Sequence, residues 1–277
     1  MIPAAFDYEV AESPEHAVGL LGSREDAKLL AGGHSLIPML RLRFARPSLL
    51  VDIGRIDGLS YVRDAGEWLA IGAMTRYKAI REDPLVQEHC PIVSHTAGLI
   101  GDPQVRHRGT IGGSLAHGDP ASDLPAVMLA LEAELVIAGP EGERTVPAAE
   151  FFRSVFETAV GPNELLREIR VPKLGETGWS YLKFTRRAQD WATVGVAALV
   201  RRDNGSVANA RIALTNMGAT PLRATATEQA LVAGADDPAA HIADGTDPPT
   251  DTGASAEFRS HLARVMGKRA IEEARSR

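Results

Sequence analysis

The 277-residue sequence predicts an α+β protein in two parts, and three observations carry that expectation. The first fifty or so residues alternate helical and strand patterns, as stacked helix and sheet layers require. From about Gly175 the pattern changes to strands rich in Val, Ala and Thr, joined through Asn204-Gly205. That dipeptide tolerates the positive φ angles of a two-residue hairpin and so favours an antiparallel second part. The stretch "AEFRSHLARVMGKRAIEEARSR" then closes the chain as an amphipathic helix.

Each element follows from local chemistry. In "FDYEVAESPEHAVGLLGS", Ser13-Pro14 starts a helix and Gly22 stops it. "AKLLAGG" is a short buried strand running into glycines, "IPMLRLRFA" has apolar residues at helical spacing, and "SLLVDIGRI" is a second buried strand. "GEWLAIGAMTRYKAI" reads as a strand entering a helix capped by Thr75. A second glycine turn follows in "RHRGTIGGSLAHGDPASD", after which Asp123 is placed as N-cap and Pro125 near N1 or N2 of an apolar helix through Leu131. "AELVIAG" returns as a strand, "ERTVPAAEFF" and "LLREIRVPKL" add short strands and a helix, and "DDPAAHIADGTDPPTDTGAS" is a surface loop.

Composition excludes several function classes. With 44% hydrophobic and 24% charged residues the chain is globular in type, and its net charge of −6 opposes binding to a phosphate backbone, so no nucleic-acid partner is expected. Cys90 stands alone, which forbids an intramolecular disulfide and any iron–sulfur cluster held by this chain's cysteines. The opening "MIPAAFDYEV" lacks a basic and apolar leader pattern, and no apolar run has the length of a membrane span. The expectation is a cytoplasmic protein without direct membrane insertion.

Two glycine pairs carry the chemistry. Gly32-Gly33 and Gly112-Gly113 can bring backbone N–H donors close to an anion, and each is flanked by hydroxyls, Ser35 on one and Thr110 and Ser114 on the other. A single pair is more often an ordinary tight turn; two donor-rich turns suit a pyrophosphate. Neither pair fits G-x-G-x-x-G or G-x-x-x-x-G-K-[ST], so a dinucleotide here belongs to a fold other than Rossmann or P-loop.

"LLAGGHSLIPMLRLR" and "RGTIGGSLAHGDPASDLPAVMLAL", with "LLREIRVP", "YLKFTRRAQDWATVGVAA", "TPLRA" and "SAEFRSHLARVMGKRA" in order, resemble the FAD-binding medium subunit of the molybdenum hydroxylases, the carbon monoxide dehydrogenase and xanthine dehydrogenase family. "AGGHS" looks more like the carbon monoxide dehydrogenase branch. The resemblance implies a two-subdomain FAD-binding domain of the vanillyl-alcohol-oxidase/PCMH type over residues 1–174, divided near 55, and a C-terminal domain of antiparallel sheet and helices over 175–277. It implies FAD held by Ala31, Gly32, Gly33, His34, Ser35 and Leu36 in one phosphate loop and by Thr110, Ile111, Gly112, Gly113 and Ser114 in the other. Ser122 and Asp123 fall on the ribityl and ribose side, Leu165 or Leu166 near adenine, Lys183 near the isoalloxazine, and Trp191 beside the flavin. Ser114 departs from the Asn of many relatives and offers fewer hydrogen-bonding groups.

The resemblance further implies electron transfer from [2Fe-2S] clusters of a small partner subunit to FAD and on to a quinone or other external acceptor. A large partner subunit would hold the molybdenum cofactor, in a dimer of heterotrimers, and the acceptor would permit peripheral contact with the inner face of the membrane. No catalytic side chain and no metal ligand is assigned to this chain. Two other classes stay open: a freestanding FAD-dependent oxidoreductase, and a nucleotide-binding assembly subunit without catalysis. His117, Asp119 and Asp123 could be read as metal ligands, but turn and cap roles explain them at least as well. His34 and Ser35 are adjacent, and neighbouring side chains on a turn diverge, which argues against a nucleophile and its base. Arg41, Arg43, Arg46, Arg106 and Arg108 serve phosphate, partner or solvent, Lys183, Arg186 and Arg187 could equally form a solvated basic face, and Cys90 is a buried core thiol.

Overall fold

The computed structural model describes residues 2–277, and its sheets combine strands expected above with others the sequence reading did not name, at Asp7–Val10, Val62–Ala65, Glu157–Thr158 and Leu222–Arg223. Met1 of the opening "MIPAAFDYEV" lies outside the described residues. The first layer is a parallel sheet in the order β1-β3-β2, with β1 at Asp7–Val10, β2 at Lys28–Leu30 and β3 at Leu49–Asp52. Helix α1 (Pro14–Gly22) crosses between β1 and β2; Ser13 caps it by accepting from the His16 N–H, and Pro14 occupies its first turn. Helix α2 (Leu36–Arg41) leaves the glycines after β2 and leads back to β3.

The second layer is an antiparallel sheet in the order β4-β5-β10-β6-β7, from β4 (Val62–Ala65), β5 (Trp68–Gly72), β6 (Glu134–Gly139), β7 (Gly142–Pro147) and β10 (Leu165–Pro172). Helices α3 (Tyr77–Glu82), α4 (Pro84–His89), α5 (Pro91–Leu99), α6 (Pro103–Arg108), α7 (Ile111–His117) and α8 (Asp123–Leu131) fill the connection from β5 to β6. Between β7 and β10 lie α9 (Ala148–Phe151) and a small hairpin of β8 (Phe152–Ser154) and β9 (Glu157–Thr158). All nine residues of α8 are buried, because it packs against β10 on one side and the third layer on the other. Cys90 sits in this core at 0% exposure, and burial pushes its thiol up to about 12.

The third layer is antiparallel, β11-β12-β13-β14, from β11 (Gly178–Phe184), β12 (Val194–Asp203), β13 (Ser206–Thr215) and β14 (Leu222–Arg223). Asn204 and Gly205, at φ 49° and 83°, make the β12–β13 turn as the dipeptide predicts. Helix α10 (Thr225–Val232) packs on β13, and α11 (Ala256–Ser276) covers β11 and β12. The Asp- and Pro-rich connection between these helices is mostly exposed and contains one short 3-10 turn, Pro238–His241.

Three local expectations are corrected. Thr75 caps no helix: α3 begins after Arg76, and the Thr75 hydroxyl instead bonds both the N–H and the carbonyl of Tyr61, tying the residue that enters β4 to the segment that leaves β5. Asp123 is the first residue of α8 and Ser122 its N-cap position, which puts Pro125 in N3, because both side chains turn to other partners. Gly112-Gly113 lies in the first turn of α7, rather than in an open turn after a strand.

Candidate functional site

The strand β2 ends at Leu30, and the chain turns through Ala31–Ser35 into α2. Gly33 makes this turn at φ 77°, which an L side chain adopts only with strain. Among the described residues, the backbone N–H groups of Gly32, Gly33, His34, Ser35 and Leu36 donate to no protein acceptor, while the Ile37 N–H returns to the Gly33 carbonyl. Consecutive donors with no partner, on residues that remain partly open to solvent, form a cradle for an anion.

The second glycine pair behaves differently. The N–H groups of Ile111 and Gly112 donate to the carbonyls of Thr75 (3.0 Å) and Ala73 (2.8 Å), and that of Gly113 to the Thr110 hydroxyl (3.2 Å). The expectation of two equal sets of free N–H donors is therefore corrected: the second loop's donors are committed to protein, and hydroxyls and close packing remain as its contribution. A Cβ on Gly112 would lie 2.4 Å from the Ala73 Cβ, so this glycine lets α7 seat on the end of β5. A Cβ on Gly32 would lie 2.4 Å from the Arg108 carbonyl oxygen, and one on Gly113 3.4 Å from the Ala31 Cβ. The two loops, about eighty residues apart in sequence, are thus packed directly against one another.

Behind the loops lies a buried polar chain. Ser114 and Ser122 share a hydroxyl–hydroxyl bond of 2.8 Å. Asp123 accepts from the Tyr181 hydroxyl at 2.7 Å and from the Lys183 ammonium at 2.9 Å, and Lys183 also donates to the Leu99 carbonyl at 3.3 Å. Tyr181 and Lys183 lie two residues apart on β11, so one face of the third layer presents both to α8. Burial raises the Asp123 carboxyl above the ordinary carboxylate range, against the pull of Lys183 and Tyr181. Burial and the Asp123 charge push the Tyr181 phenol well up. Sequence reasoning missed Tyr181 and the Thr215 hydroxyl 3.3 Å from it, although the Tyr181/Lys183 alternation in "SYLKF" was a usable signal.

Asn216 was missed as well. In the left-handed region at φ 61°, it donates from its backbone to the Pro120 carbonyl and from its side chain to the Ala192 carbonyl, next to Trp191. Trp191 itself is 57% exposed. Leu165 is buried in the core of the first layer and Leu166 in that of the second, on opposite faces of β10. His34, Arg186 and Arg187 are exposed; Arg106 donates to the Ile100 and Gly101 carbonyls. His117, Asp119 and Asp123 have separate partners, namely the Phe156 ring, the Ala121 N–H and the Lys183–Tyr181 pair.

The residues fit a dinucleotide: a run of unpartnered N–H donors, no carboxylate on either loop, and glycines without which the loops could not meet. The class defined by this fold and site is an α+β protein built to hold a nucleotide's phosphates. Residues 4–174 match the FAD binding domain in molybdopterin dehydrogenase, and residues 179–274 match the CO dehydrogenase flavoprotein C-terminal domain. The chain is 44% identical to the carbon monoxide dehydrogenase medium chain of Hydrogenophaga pseudoflava, over 100% of this chain and 99% of that one. It is 30% identical to the xanthine dehydrogenase FAD-binding subunit of Escherichia coli O157:H7, over 96% and 95% of the two chains. The solved carbon monoxide dehydrogenase from Hydrogenophaga pseudoflava that lacks the Mo-pyranopterin moiety matches at TM-score 0.96 and 46% identity over 99% of this chain and 98% of that one. Quinoline 2-oxidoreductase from Pseudomonas putida 86 matches at TM-score 0.95 and 31% identity over 100% and 99%. This chain belongs to the FAD-binding medium subunits of the molybdenum hydroxylases, and is an oxidoreductase component. Among the described residues, no helix is long and apolar enough to cross a membrane.

Proposed function

We propose that this chain is the FAD-carrying electron-transfer subunit of a heterotrimeric molybdenum hydroxylase, taking electrons from [2Fe-2S] clusters of a small partner subunit to FAD and on to a quinone or another external acceptor. The observation that carries the reading is the packing of the Ala31–Leu36 turn, with its unpartnered N–H groups, against the α7 loop. Bound FAD supplies a redox centre that the amino acids lack. The Gly32–Leu36 N–H groups hold the pyrophosphate, with Ser35, Thr110 and Ser114 as hydroxyl neighbours. Ser122, Asp123 and Lys183 orient the ribityl and isoalloxazine parts, Leu165 or Leu166 borders the adenine, and Trp191 lies beside the flavin. The FAD-holding part spans residues 1–174, in subdomains meeting near 55, and residues 175–277 form the C-terminal domain.

The partners follow from chemistry this chain lacks. One buried cysteine cannot ligate a cluster, so any cluster of the complex belongs to another chain, and membership in this family assigns the clusters to a small subunit and the molybdenum centre to a large one. Relatives covering nearly the whole chain are subunits of complexes named for carbon monoxide, glyceraldehyde and caffeine, which supports a substrate chosen outside this chain. The assembly is a dimer of heterotrimers in the cytoplasm, touching the inner face of the membrane through its acceptor. The test is to purify the chain alone and co-expressed with its partners. Flavin absorbance that substrate bleaches only in the complex is the expected result. Bleaching by the isolated chain would make it a freestanding oxidoreductase, and lack of flavin even in the complex would leave an assembly subunit.

A further inference from the structure

Asp123 and Lys183 have roles toward the cofactor, but their buried neighbour Tyr181 has none. Tyr181 is 1% exposed, and its hydroxyl lies 2.7 Å from one oxygen of Asp123 and 3.3 Å from the Thr215 hydroxyl. The directions of these bonds follow from counting hydrogens. A phenol has one and an ionised carboxylate only accepts, so Tyr181 donates to Asp123 and the Thr215 hydroxyl donates to Tyr181. Lys183 donates to the other Asp123 oxygen at 2.9 Å and to the Leu99 carbonyl at 3.3 Å. An ammonium has three hydrogens, so one N–H of this almost fully buried side chain has no protein acceptor among the described residues.

The third layer is built to admit this phenol. Lys183, Gly195 and Thr215 stand side by side on β11, β12 and β13. A Cβ on Gly195 would lie 2.5 Å from the Tyr181 hydroxyl oxygen and 3.0 Å from the Thr215 Cβ. Gly195 is not among the residues at positive φ, so room for the hydroxyl, and not backbone conformation, requires the glycine in mid-strand. The other polar groups near Asp123 are Ser114 and Ser122, which bond each other, and the Tyr77 phenol beside Ser114, whose ionisation burial pushes far up. His95 of α5 turns instead to the Tyr181 carbonyl, 3.2 Å away. Among the described residues, Lys183 is thus the cation facing Asp123, and Tyr181 the donor to its other oxygen.

We propose that Tyr181 is a positioning residue for the redox reaction: by holding one oxygen of Asp123 it keeps the other on Lys183, and so fixes the ammonium's free N–H toward the isoalloxazine. This rests on the electron-transfer reading above. Without the phenol, one buried carboxylate oxygen loses its donor, and a proton is the remaining way to satisfy it. Burial already raises this carboxyl, and the bonds from Lys183 and Tyr181 oppose that rise. Losing the Tyr181 bond therefore lets Asp123 take up its proton at a higher pH. The Asp123–Lys183 pair then changes from neutral to singly positive beside the ring, and positive charge there favours the reduced flavin.

The test is a spectroelectrochemical titration of FAD in the co-expressed complex across the pH range in which it stays folded, with melting temperature recorded for each sample. Tyr181→Phe is expected to move the Asp123 proton uptake up by about one pH unit or more. Its FAD potential is then more positive than wild type over a middle range of pH, and the two curves converge at both ends. Thr215→Val, which removes the bond behind the phenol, should shift the curve the same way but less. Gly195→Ala, which keeps every titrating group and crowds the hydroxyl, should resemble Tyr181→Phe. In the chain without FAD, the infrared band of a protonated carboxyl that Asp123→Asn removes should appear at higher pH in Tyr181→Phe than in wild type. Superimposable potential curves and infrared titrations, with only the melting temperature lowered, would make Tyr181 a packing residue and overturn the inference while the proposed function stands. An infrared shift without a change in potential would overturn it as well, because the pair would not act on the flavin. Where Tyr181→Phe does not assemble, Thr215→Val decides between the same outcomes. A wild-type complex without flavin would overturn both readings.

Discussion

Lys183 and Asp123 meet at 2.9 Å with side chains only 6% and 4% exposed, so neither can lose its partner without leaving the other buried and unpaired. Lys183→Met should cost about 3–5 kcal/mol in urea unfolding, and adding Asp123→Asn should recover much of it. The sign with pH is fixed by the carboxyl. Burial raises its folded-state pKa, so its protonated form imposes no penalty below about pH 3.9, the unfolded value, and the penalty grows as pH rises through the folded-state value. The Lys183→Met deficit should therefore widen between about pH 4 and pH 8; a deficit flat across that range would place the cost elsewhere. Both residues were recognisable in the sequence, but only as separate cofactor contacts. Their pairing across sixty residues depends on how β11 faces α8, which residue spacing does not encode.

Helix α7 reverses an ordinary propensity argument. Two adjacent glycines weaken a helix, which is why "TIGGS" reads as a turn in sequence; α7 survives because Thr110 caps it and the bare Gly112 Cα fits against Ala73. Thr110→Ala should lose about 1 kcal/mol, or about 2–4 °C in melting temperature, and Thr110→Ser should largely keep the cap. Alanine at Gly112 should destabilise in spite of its better helix propensity, since its Cβ would stand 2.4 Å from the Ala73 Cβ and 2.7 Å from the Ala73 carbonyl oxygen. A stabilised Gly112→Ala variant in thermal melts would refute that packing. Gly33→Ala should be milder in stability, with about 1 kcal/mol of strain at φ 77°, yet should reduce FAD retention measured by absorbance after desalting. The glycine pairs were visible in the sequence. Which of them keeps its N–H groups free was not, because the second loop's acceptors, Ala73 and Thr75, sit on a segment that gave no sign of approaching it.

At the scale of the whole molecule, the layers were legible and their wiring was not. Apolar runs in "SLLVDIGRI" and "AELVIAG" mark buried strands, but β10 pairs with both β5 and β6 after a gap of more than ninety residues from β5, and no local pattern chooses those neighbours. Closing that sheet buries Cys90 at 0% exposure among α3, α4, α5 and α8, and burial pushes its thiol to about 12. The only cysteine of the chain is thus a reporter of global opening, because a thiol both inaccessible and protonated reacts only when that core comes apart. With iodoacetamide near pH 8, labelling of the native chain should be far slower than that of a free cysteine peptide and should rise with urea in step with unfolding. Labelling at the peptide's rate in buffer would contradict the burial. FAD binding to the folded chain alone should slow it further by the factor 1 + [FAD]/Kd, about a hundredfold when free FAD stands at a hundred times Kd. The same slowing should be lost with Gly33→Ala at equal FAD and retained with Phe44→Ala, because the first alters the cradle and the second an exposed side chain beyond α2.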